Sequence, residues 1–160
     1  MAPTDPLRLS WQFPTPSWTE KCCRWVPVVG WTIANELEKR RLSLGSESLA
    51  QQLASRPMAQ SYAISPDGVH ARVAAFIART VKDHFGWPND HFIAEDPYKL
   101  MTFGDEGAGI EVINAVEEYL DLPQGTMTNE QIEVFCQMAF RQVVDYVVAL
   151  SKGDNPQSNN

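Results

Sequence analysis

Between Val69 and His84, apolar side chains return every three or four residues: Val69, Val73, Phe76, Ile77 and Val81, with Thr80 and His84 on the same line. An α-helix gathers such positions on one face, whereas a strand sends neighbours to opposite sides. Ser65-Pro66-Asp67 stands before the run and Gly86 after it. These supply a cap, a proline suited to the first turn, an acid for the positive end of the dipole and a glycine stop. No stretch alternates apolar and polar residues with the period of two that a half-buried strand needs. The spacing therefore predicts an all-α fold, a small helical bundle.

The rest of the chain reads in the same terms. A helix is predicted from near Pro27 to about Leu42, a stop at Leu44-Gly45-Ser46, and a short helix from Glu47 to Ser55 ended by Arg56-Pro57. Residues 57–64 form a connector, and Asp96-Pro97 caps a short helical turn running through Met101. In the following helix Ile110, Ile113, Val116 and Leu120 face inward, while Glu111, Glu117, Glu118 and Asp121 face water. Thr128 and Gln131 make a capping box for a last helix, with Ile132, Phe135, Ala139, Val143, Tyr146 and Leu150 along one side.

A chain of 160 residues can enclose one proper core. That core is assigned to a bundle domain over 65–150, preceded by an N-terminal helical segment over 19–64. Residues 1–18 carry Pro3, Pro6, Pro14 and Pro16 and read as an extended arm, punctuated by Trp11, Phe13 and Trp18. Residues 151–160 have no apolar side chain to bury and read as a disordered tail.

Charge divides the chain unevenly. Residues 1–60 hold seven Lys/Arg against five Asp/Glu, or +2; residues 61–160 hold six against fifteen, or −9. Phosphate binding needs a basic face, so a nucleic-acid partner is disfavoured for the acidic part and a basic protein partner suits it. Three cysteines, two of them adjacent, make no disulfide framework, and the N-terminus lacks the pattern of a secretory signal. A reducing cytoplasm is the expected location.

Little here points to chemistry. His70, His84, His91 and Cys136 lack the close spacing of metal ligands, so no metal site is expected. Asp105, Glu106 and Glu111 would need desolvation to act as acid or base, and a crowded acidic surface does not desolvate them. Cys136 sits among apolar residues without the electropositive setting of a thiolate. Gly107-Ala108-Gly109 resembles half of a phosphate loop, but Asp105 and Glu106 would repel the anion; these acids suit the helix N-terminus themselves. No catalytic residue, cofactor or enzymatic activity is expected.

One segment resembles a known family. Phe103-Gly104-Asp105-Glu106-Gly107-Ala108, followed by the acid-rich helix Ile110 to Glu118, is similar to the turn and second helix of acyl carrier proteins, and residues 69–150 repeat that family's order of elements. The resemblance implies a carrier-like C-terminal part whose second helix docks on basic partner enzymes. It also implies a phosphopantetheine-bearing serine, where this chain has Glu106, which has no hydroxyl to accept the arm. The expected function is thus a non-enzymatic interaction module presenting Asp105, Glu106, Glu111, Glu117 and Glu118 to a basic protein. The alternative is docking on a membrane surface or in an assembly through residues 21–41. There Trp25, Trp31, Arg40 and Arg41 frame an apolar stretch well short of the roughly 20 residues that cross a bilayer. Oligomeric state is not readable from these patterns.

Overall fold

A computed structural model describes residues 8–13, 15–23, 25, 29–64, 68–104, 106–123 and 133–152. Six α-helices are among them: α1 (Trp18–Cys23), α2 (Val29–Ala54), α3 (Gly68–Phe85), α4 (Tyr98–Met101), α5 (Glu106–Tyr119) and α6 (Phe140–Ser151). Two 3-10 turns, Met58–Gln60 and Tyr62–Ile64, occupy the predicted connector. No strand occurs among the described residues, only an isolated antiparallel bridge between Pro97 and Ala139, so the all-α bundle stands. The predicted caps at Ser65–Asp67 and Thr128–Gln131, the helix start near Pro27 and the tail beyond Lys152 lie outside the described residues.

The chain divides into two compact units: Ser10–Gln51, and a second formed by Met1–Leu9 with Gln52–Asn160. In the first, α2 runs unbroken through the stop predicted at Leu44-Gly45-Ser46. Glycine costs an exposed helix interior about 1 kcal/mol relative to alanine. Here it is buried, with the Trp11 ring lying so close that a methyl group at residue 45 would overlap it. Gly45 is therefore the seat of an indole and not a helix stop. Phe13 closes edge-on over Trp11, their ring centroids 4.5 Å apart.

In the second unit α3 is central, and α5, α6 and the Tyr62–Ile64 turn pack on it. Its buried residues are Val73, Ala74, Ile77, Ala78 and Val81. That stripe is rotated from the predicted one: Val69 stands exposed, and Phe76 is half-buried with its ring stacked on Tyr119 at 4.1 Å. Gly86 ends α3 as predicted, with φ +66° and the Trp87 N–H closing on the Lys82 carbonyl at 3.0 Å. The Trp87 indole then donates to the Met101 carbonyl at 2.9 Å, tying the loop after α3 to α4.

The predicted last helix is corrected. Residues 133–135 are helical, 136–138 turn, and α6 starts only at Phe140. The cause is a distant segment. Tyr98 N–H donates to the Met138 carbonyl, Phe140 N–H to Asp96 and Arg141 N–H to Ala94, at 3.0, 2.8 and 3.0 Å. The unsatisfied amides of a helix start are thus taken by the 94–98 loop. Buried Phe140, Val143, Val144, Val147 and Val148 face the core in place of the predicted line through Ala139 and Leu150.

Asp96, predicted to cap α4, turns inward instead. Pro97 occupies the cap position and makes no side-chain cap. The buried Asp96 carboxylate accepts the Leu9 N–H at 2.8 Å, the Ile93 N–H at 2.9 Å and both terminal nitrogens of the equally buried Arg56. The Arg56 carbonyl lies 3.0 Å from the His91 ring Nδ1, and Asn89 donates to the Leu53 carbonyl at 2.8 Å. A buried carboxylate is tolerated only when its charge and lone pairs are answered in this way.

Candidate protein-docking surface

Two left-handed residues, Phe103 at φ 52° and Gly104 at φ 70°, swing the chain from α4 toward α5. Gly104 N–H reaches back to the Lys99 carbonyl at 2.7 Å, which closes α4 tightly. Glu106 is the first residue of α5; its side chain and all of Asp105 lie outside the described residues.

Along α5 the inward positions are Gly109, Val112, Ile113, Val116 and Glu117. This spacing of three, one, three and one is a helix stripe about one residue wider than that predicted from Ile110, Ile113, Val116 and Leu120. One of the predicted acids falls inside this stripe. Glu117, expected to face water, is only 1% exposed and cannot meet a partner. By helix geometry Glu117 lies about 40° from Ile113 and between it and Ile110, inside the predicted apolar arc itself, so its burial follows from that line.

The outward stripe is Gly107, Glu111, Asn114 and Glu118, all exposed. Glu111 lies 3.2 Å from His84 Nδ1 at the end of α3 through its Oε2, and still leaves most of its side chain in solvent. After Tyr119 the helix closes with Asp121 at φ 55° and Leu122 N–H on the Glu117 carbonyl at 2.9 Å. The structure thus keeps Glu111 and Glu118 of the predicted set together on one face.

Sequence reasoning missed the neighbouring groove between α3 and the end of α5. Arg72, Ala75, Phe76, Arg79 and Tyr119 line it, and Val69, Leu120 and Asp121 extend it. Its floor is the Phe76–Tyr119 stack, and Tyr119 is exposed beside Glu118. Neither arginine forms an ion pair among the described residues. The available signal was the i, i+7 spacing of Arg72 and Arg79, which places both on one helix face.

The residues of the alternative reading belong to the other unit. Trp25 is 89% exposed and Arg40 is exposed, whereas Arg41 is partly covered and lies 3.9 Å from Glu38. The side chain of Trp31 lies outside the described residues. No helix among the described residues is long and apolar enough to cross a membrane. No group of three or more His, Cys, Asp and Glu able to hold a metal ion occurs among them either. Cys136, predicted inside a helix, sits half-buried in the turn before α6.

Comparisons with protein-family models, with curated proteins and with solved structures return no match for this chain.

Proposed function

We propose that this protein is a non-enzymatic interaction module whose second unit docks on a basic protein surface through Glu111 and Glu118. The supporting observation is their common outward stripe on α5, in the part of the chain that carries −9. Two exposed acids mainly raise association rate and select the partner's sign; they supply little affinity. Apolar contact comes from the adjoining Phe76–Tyr119 stack, since large partly exposed aromatics act as anchors in interfaces. Arg72 and Arg79 in the same groove repel a basic partner there and confine its cations to the α5 side. Asp96 is held by two backbone amides and a guanidinium, which suits a structural post.

Affinity capture from a lysate, comparing the native chain with Glu111→Lys/Glu118→Lys and with Tyr119→Ala, tests this reading. Loss of the same captured protein in both variants, with Glu133→Lys retaining it, is the expected result. Equal capture by all four proteins removes the proposal.

A further inference from the structure

The first unit carries an apolar seam on the outside of α2. Ile33 is 47% exposed, Leu37 36% and Leu44 68%. At 100° per residue, Ile33, Leu37, Arg40 and Leu44 fall within an arc of about 60°, turned away from the buried line through Ala34, Gly45 and Leu49. Their spacing of four, three and four is that of alternating core positions in a helix pair. Ile33, Glu36, Leu37 and Arg40, with Thr32, also line a groove of about 320 Å³. Four residues at i, i+3, i+4 and i+7 are the hole into which a facing helix inserts a side chain.

We infer that this seam pairs with the α2 helix of a second copy, antiparallel about a two-fold axis between Glu38 and Lys39. The register follows from residue order. An axis at that point sets Ile33 against Leu44 and Leu37 against Arg40, twice over, as an isologous interface requires. It also delivers Arg40 of each copy into the other's hole, whose rim carries both Glu36 and Arg40, so that Glu36 neutralises the charge where the two guanidiniums meet. Arg40 makes no ion pair among the described residues, while Glu36 holds only the exposed Lys39, at 3.2 Å. Registers that move the axis onto Arg40 or toward Ala34 lose this match: the first sets Arg40 directly opposite Arg40 and away from Glu36, and the second carries Leu44 past the start of the partner helix at Val29. A lipid surface fits the seam less well, because Glu36 and Glu47 flank it. The interface lies on different residues from the proposed acidic docking face, so either can fail alone.

The seam spans about 16 Å along the helix, so the contact is small and the dimer is concentration-dependent. Sedimentation equilibrium of the full chain under reducing conditions, from about 10 to 500 µM, reads it. The native chain is expected to approach twice its 18.0 kDa mass at the upper end. Arg40→Glu and Glu36→Arg should each weaken dimerisation by at least about tenfold, and Glu36→Arg/Arg40→Glu should restore it to within about threefold. Leu37→Asp should abolish it, with helix content and melting temperature unchanged. A native chain that stays monomeric throughout overturns the inference, whether or not it binds anionic vesicles or another protein. So does a dimer that ignores both single charge reversals or is not restored by the double one.

Discussion

Arg56 and Asp96, 40 positions apart, form a fully buried ion pair in which the guanidinium donates through both terminal nitrogens. Because the same carboxylate also holds the amides of Leu9 and Ile93, deleting it leaves a buried cation without its counter-ion and two N–H groups without their acceptor. Asp96→Ala is expected to cost about 3–5 kcal/mol of stability, as removal of one partner from a buried pair generally does. Urea denaturation followed by far-UV circular dichroism checks this; a cost below about 1 kcal/mol would mean that water replaces the pair.

Leu9 contributes to the same knot twice, by its buried side chain and by its N–H. Leu9→Ala removes only the first contribution and is expected to cost about 2–4 kcal/mol. Leu9→Pro removes the donor as well and should cost more than Leu9→Ala, an order that reverses if the hydrogen bond from the Leu9 N–H to Asp96 is unimportant.

At residue 45 the usual helix rule should invert. Gly→Ala in a helix interior ordinarily adds stability, by up to about 1 kcal/mol. Here the methyl group overlaps Trp11, so Gly45→Ala is expected to lower the melting temperature. In a Trp11→Ala background the same change should raise it. Two thermal melts of each pair decide the matter.

The buried acid of α5 makes a separate test. Glu117→Lys places a charge of the opposite sign in a closed site and should destabilise the protein by several kcal/mol. Glu111→Lys and Glu118→Lys, on the exposed stripe, should change stability by less than about 0.5 kcal/mol. Equal effects at all three positions would contradict the orientation of α5.

Alkaline behaviour follows from Tyr98. Burial pushes its phenol well above the ordinary value of 10.0, and the nearby Cys136 thiol acts in the same direction. The folded state therefore keeps this proton at pH values where the unfolded chain releases it. Stability drawn from Tyr98 is complete below about pH 10 and falls as pH rises beyond that. Tyr98→Phe should flatten the loss between about pH 10 and 11 in urea titrations, and an unchanged slope would assign it to other groups.

Local periodicity made much of this fold legible and long-range pairing did not. The extent of α3 and its end at Gly86 follow from the spacing of Val73, Ile77 and Val81, since those residues answer to their own helix. The interruption before Phe140 is invisible locally, because the amides that define it are answered by Asp96 and Ala94, more than forty positions upstream. Asp96-Pro97 has the form of a cap, and only a buried Arg56 makes the inward turn preferable. On α5 residue 117 falls on the line of Ile110 and Ile113, and only its charge suggested the outward side, yet it is buried there. The exposure of Glu111 and Glu118 was readable from the sequence, and the Phe76–Tyr119 stack was not, since it needs two helices brought together.

The knot around Asp96 has a consequence for synthesis. Its carboxylate joins positions 9 and 56, and its own carbonyl receives position 140, so the set is complete only after residue 140 has been made. Contacts so far apart are slow to form, and a chain emerging from the ribosome at about 5–20 residues per second has no early substitute for them. A nascent chain arrested near residue 135 should remain open to proteases through its second unit, with resistance arriving abruptly once α6 has cleared the exit tunnel.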